Sequence, residues 1–96
     1  MGQRAERVLR INDEISALRR DEYRAFEELI MLGHLDDDAQ RDATVSESPP
    51  DAHDARESAR DVARMQRHVA DLRAARETLE RKRDRMMQKL TVSAAE

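Results

Sequence analysis

The chain predicts an all-α fold: an antiparallel, coiled-coil-like hairpin of two long helices that pairs with a second copy into a four-helix bundle. Three observations lead there. First, charged residues make up 41% of the 96 residues and aromatic ones only 2%. That is too little bulk to offset chain entropy in a compact layered core, and it suits long helices. Second, apolar residues recur at steps of three and four along two separate stretches. Third, "SESPPD" (Ser46–Asp51) is the one clear break, in a chain with two glycines and two prolines.

The first helix is expected from about Gln3 to Leu35. Val8, Ile11, Ile15, Leu18, Glu22, Ala25, Leu29 and Leu32 form the a/d seam of a heptad repeat. Gly33 stands near its expected end, and Asp36 can cap a short helical turn within a connection spanning 36–53. Proline suits a first helical turn, so Ser48 with Asp51 marks one start for the second helix; Asp54 with Glu57 marks a rival one. The second helix is read from about 54 to 91, with Val62, Met65, Val69, Leu72, Arg76, Leu79, Arg83, Met86 and Leu90 on its seam. Residues 92–96 are expected to fray. The whole reads as one helical-hairpin domain.

Two helices joined by one short connection fold back on each other. A turn centred near Pro49 sets Val8 against Leu90, Ile11 against Met86, Leu29 against Val69 and Leu35 against Val62 and Ala63. It also sets Glu22 against Arg76, a polar pair that fixes alignment. Arg83 falls opposite Ile15 and is expected to reach Glu14 or a partner chain.

A lone hairpin buries little, and "AFEELIMLGHL" (Ala25–Leu35) is more apolar than one partner helix needs. The expected partner or dimer interface is Phe26, Leu29, Ile30, Met31, Leu32 and Leu35 with Val62, Met65 and Val69. Charge is uneven along the chain. From Glu27 to Asp61 eleven acids face three arginines, within a net charge of −3. Asp36, Asp37, Asp38, Asp51 and Asp54 are thus expected at an acidic tip.

Catalysis is not expected. There is no glycine-rich phosphate loop, nucleophile elbow or Cys/His pair, and a slim hairpin offers no deep pocket. No cofactor is implied. His34, His53 and His68 lack metal-ligand spacing, and "DDD" lacks the glycine and spacing of a calcium loop. A carboxylate/histidine metal site inside the bundle is the remaining alternative of that kind. The basic segment "RAARETLERKRDRMMQK" (Arg73–Lys89) is interrupted by Glu77, Glu80 and Asp84 and has no stacking aromatics, which argues against nucleic acid. No apolar run approaches the roughly 20 residues of a membrane span. The absence of cysteine fits a reducing cytoplasm.

One short resemblance concerns the expected tip. "SPPDAHDARES" resembles the Asp-x-x-Asp-x-Ala tip of DksA-type factors through Asp51 and Asp54, with Arg56 where that pattern has alanine. Those factors insert a coiled-coil tip into the secondary channel of bacterial RNA polymerase. The resemblance implies a second candidate function, transcription regulation, with RNA polymerase as the partner. The first candidate remains a non-enzymatic interaction or regulatory protein that binds itself or a larger protein.

Overall fold

The computed structural model describes residues 2–95, with side chains described for residues 2–92. It holds two α-helices, α1 (Gln3–Ser46) and α2 (Pro49–Ala95), and no strand among the described residues. The chain is an all-helical, two-helix hairpin. It divides into two compact units. The terminal unit comprises Met1–Glu22 with Asp71–Glu96, and the turn unit Tyr23–Ala70.

Both helices are longer than apolar periodicity indicates. α1 was expected to close near Leu35 but continues to Ser46, and α2 begins at Pro49 rather than 54. The connection of 36–53 shrinks to Glu47 and Ser48, and Val92–Ala95 is helical rather than frayed, with Glu96 outside the described residues. The reason lies in the seam. Its three-four spacing runs on without a skip through Asp36, Ala39 and Ala43 of α1, and through Ser48 of the connection and Asp51, Ala55 and Ser58 of α2; every one of these is buried or half-buried. They are small or polar, so hydropathy does not mark them. Small seam residues let two helices approach closely. Gln40 accordingly donates from Nε2 to the Ala55 carbonyl across the turn unit at 2.8 Å, and to Asp36 Oδ1 at 3.0 Å. Asp36 is thereby satisfied although it sits in the seam.

The turn is built from its own side chains. Ser48 caps α2, its Oγ accepting from the Asp51 amide at 3.3 Å, and Pro49 and Pro50 fill the first turn, where no amide hydrogen is needed. Ser46 Oγ accepts from the Ser48 amide at 3.3 Å and donates to Asp51 Oδ2. Glu47 ends α1 in the left-handed region, φ 54°, while its amide still bonds the Ala43 carbonyl at 3.2 Å. Helices usually hand that position to glycine, because a Cβ there is strained. Glu47→Gly is therefore expected to stabilise the fold by about 1 kcal/mol. A urea midpoint that stays put or falls would contradict this account of the turn.

In the terminal unit the buried seam residues are Val8, Ile11 and Ile15; in the turn unit they are Ala25, Ala55 and Val69. Leu18, Leu72, Leu79, Met86 and Leu90 are half-buried on the terminal unit's seam. Arg83 does not reach Glu14. Its Nε bonds Asp84 Oδ1 at 3.1 Å and its Nη1 lies 3.5 Å from Asn12 Oδ1. Asp84 is the next residue in the chain, so this carboxylate is within reach without stretching the side chain across the seam. No helix among the described residues is long and apolar enough to cross a membrane.

Candidate functional site: an uncharged face on the turn unit

The nine expected interface residues do not form one surface. Leu29 and Leu32 of α1, with Val62, Met65 and Val69 of α2, occupy a and d positions and line the hairpin's own seam. Phe26, Ile30, Met31 and Leu35 remain exposed, at 49%, 48%, 63% and 55% of their surface. A helix turns 100° per residue, so residues side by side in an apolar run point in different directions. Leu35 sits at a g position, beside the seam rather than on it.

The exposed residues then divide again. Counting from the seam, Phe26 is at an e position and Ile30 at a b position; Tyr23, also exposed, is at b, and Gly33 at e. Met31 and Leu35 are at c and g on the opposite flank. Helix α2 contributes Ala59, Ala63, Gln66 and Ala70 at its own e and b positions. The g residues Glu28 of α1 and Asp61 and His68 of α2 line one groove of about 400 Å³ with Leu32, Arg64 and Met65, which leaves the e flanks of the two helices together on the other side.

The two sides differ in chemistry. The g and c side is charged, and Arg64 pairs with Asp61 there. The e and b side between Tyr23 and Gly33 and between Ala59 and Ala70 carries no charge at any of its eight positions. In a chain with 41% charged residues, about three of eight would be charged by composition alone. The face also has relief. Phe26 and Ile30 stand up as a ridge, while Gly33, Ala59, Ala63 and Ala70 make a low floor beside it. Tyr23 borders the face, and its hydroxyl bonds Glu27, which raises its pKa.

Glu22 and Arg76 lie on the terminal unit's seam and meet there. Arg76 Nε is 2.7 Å from Glu22 Oε2, and Arg76 Nη2 is 3.2 Å from Oε1. The pair belongs to a larger network. Arg76 Nη1 bonds both carboxylate oxygens of Glu80 at 3.2 Å, Arg19 bonds Glu80 Oε1 at 2.7 Å, and Arg73 lies 3.4 Å from Glu22. The Arg76 hydrogen bond holds the Glu22 carboxyl below its ordinary pKa despite the opposing effect of partial burial. For Glu80 partial burial alone would raise the pKa, but the bonds from Arg19 and Arg76 outweigh it and lower it. Both carboxylates hold the Arg76 guanidinium protonated. Periodicity offered Glu22 and Arg76; Arg19, Arg73 and Glu80 flank the seam and gave no such signal.

The expected acidic tip is partly folded inward. Asp36 and Asp51 are half-buried seam residues, held by Gln40 and Ser46 respectively. Asp38 pairs with Arg41, and Asp37 and Asp54 are exposed. Asp51 is thus engaged within the turn, and of the two tip aspartates in the DksA-type resemblance only Asp54 is free of a side-chain partner among the described residues. No three His, Asp or Glu side chains among the described residues stand close enough to hold a metal ion. Compared with known protein families, curated proteins and solved structures, the chain matches none.

Proposed function

We propose that this protein is a non-enzymatic helical-hairpin interaction module that works by self-association, and that the uncharged face of the turn unit is the contact. The observation that carries the reading is the run of eight uncharged positions in so charged a chain, with Phe26 and Ile30 half exposed at its centre. The occupant follows from the face itself. A ridge and a floor lie side by side on one surface, so a two-fold axis through it sets each copy's ridge on the other's floor. A face without charge offers nothing for a partner chosen by charge to read.

The exposed area leaves room for such a contact. The chain exposes 7166 Å², whereas a compact monomer of 11.1 kDa exposes roughly 5,700 Å². A standard interface removes about 800 Å² per partner, roughly half of that excess. The test is molar mass by light scattering at micromolar concentration: about twice 11.1 kDa supports the reading, and 11.1 kDa at all concentrations refutes it. A regulatory role is then control of how two copies, and whatever each carries, are held together.

Gly33 separates folding from association. It lies inside α1, where glycine costs about 1 kcal/mol relative to alanine, yet a Cβ added there meets nothing within 4 Å. The hairpin alone does not require it. In a monomeric background Gly33→Ala is expected to stabilise the fold by about 1 kcal/mol. In the native background the gain should shrink, because the methyl group enters the contact. Chemical denaturation of both pairs of proteins measures this; an equal gain in each would remove Gly33 from the interface.

A further inference from the structure

The terminal unit carries a feature of a different kind. Arg4, in the first turn of α1, meets Arg85 and Lys89 of α2 around a cavity of about 480 Å³, completed by Gln88 and Val92. Arg85 and Lys89 are one helical turn apart and so lie on one side of α2. None of the three cations makes an ion pair or hydrogen bond with another described residue, and no acid among the described residues lines the cavity. Other arginines of the same unit are engaged: Arg19 and Arg76 with Glu80, Arg73 with Glu22, Arg83 with Asp84. The unit does not lack acids. Among the described residues, Arg7, Arg10, Arg20 and Lys82 of this unit are also unpaired, and what sets Arg4, Arg85 and Lys89 apart is that they line one cavity.

Three converging cations repel one another until an anion joins them. Two guanidinium forks suit phosphate oxygens, each offering two parallel N–H donors, and the lysine adds a point charge. Gln88 can add an amide donor, while Val92 supplies an apolar wall. The cavity is larger than one phosphate needs and lies within the size range of small-ligand sites. It has no aromatic side chain to stack a base, since the chain's one Phe and one Tyr lie in the turn unit. We propose that Arg4, Arg85 and Lys89 form a binding site for an anion bearing two or more phosphate groups, recognised through those groups alone. A soluble phosphate chain and a phosphorylated lipid headgroup share this chemistry.

The experiment titrates the full chain with inorganic tripolyphosphate by calorimetry at about 50 mM salt, where exposed charges are weakly screened. In parallel, it is floated with phosphatidylcholine vesicles containing or lacking a phosphatidylinositol bisphosphate. Saturable binding of one tripolyphosphate per chain, or flotation that needs the phosphatidylinositol bisphosphate, is expected, and the arm that responds identifies the source. Arg85→Gln with Lys89→Gln should weaken that binding about tenfold or more. Arg81→Gln with Lys82→Gln removes the same charge from the same helix outside the cavity and should leave it within about threefold. Equal losses in the two variants, or no saturable binding in either arm, would overturn the proposal. Helicity by circular dichroism shows whether either variant fails to fold. In that event the single substitutions Lys89→Gln and Lys82→Gln make the same comparison. Self-association bears on none of these readouts.

Discussion

Replacing Phe26 and Ile30 together by glutamate is expected to bring the molar mass down to 11.1 kDa while leaving the helices intact. Both side chains are about half exposed, so the hairpin's own seam loses little when they go. In a dimer each would be buried, and burying the exposed half of a large apolar side chain yields roughly 1 kcal/mol. The two-fold axis doubles that. Glutamate removes the gain and adds like charges that must be desolvated against each other. A change in dissociation constant of about a thousandfold or more follows, since each 1.4 kcal/mol is a factor of ten. The control is Met31→Glu with Leu35→Glu. These residues are equally apolar and exposed but lie on the opposite flank. If the control dissociates the protein and the Phe26/Ile30 variant does not, the contact lies on the charged side and the uncharged face has been misassigned.

The second large effect concerns the seam network. Arg76→Ala is expected to lower Tm by on the order of 5–10 °C. Glu22 would keep only Arg73, at 3.4 Å, and Glu80 only Arg19. A carboxylate in the seam then loses its main partner, which costs more than the pair itself contributes. Replacing both Glu22 and Arg76 by leucine should restore most of the loss, because apolar substitutes of similar volume avoid desolvation altogether. That variant should also be less particular about alignment, seen as broader melting or mixed oligomers, since one polar layer in an apolar seam penalises every other register. Equal stability of Arg76→Ala and the native protein would show that the network is solvated and idle.

The same network sets a dependence on pH. Glu22 and Glu80 both have folded pKa values depressed below the ordinary 4.5. Their contribution is complete above that value. It fades as pH falls from about 4.5 toward the depressed folded pKa values, because the unfolded chain takes up protons first. Thermal melts should show Tm falling with acid over that window in the native protein. The slope should be shallower in the Glu22→Leu/Arg76→Leu variant. Parallel slopes would place the acid sensitivity elsewhere.

The helices were legible to different depths for a physical reason. Val8 to Leu32 and Val62 to Leu90 announce themselves because large apolar side chains mark the seam there. Nearer the turn the seam is Asp36, Ala39, Ala43, Ser48, Asp51, Ala55 and Ser58. These residues look like a connection when judged by hydropathy, and they form a helix pair because small side chains allow close approach and the polar ones find Gln40 and Ser46. Ser48 and the two prolines mark the second helix's true start more faithfully than any apolar pattern.

The amino-acid sequence by itself determined the all-helical class, the hairpin with one break, and the seam that includes Glu22 and Arg76. Spacing along a helix fixes which residues share a stripe, and that needs no third dimension. Spacing put Leu29 and Leu32 on that seam, and only the tertiary structure decided how much of the neighbouring apolar surface the hairpin leaves exposed. Leu29 and Leu32 are covered by α2, whereas Phe26 and Ile30, equally apolar and adjacent in the chain, are not. It also decided which arginines find carboxylates and which are left facing a cavity. Those outcomes depend on what the opposite helix presents at each level, and a list of residues does not contain that pairing until the chain has folded back on itself.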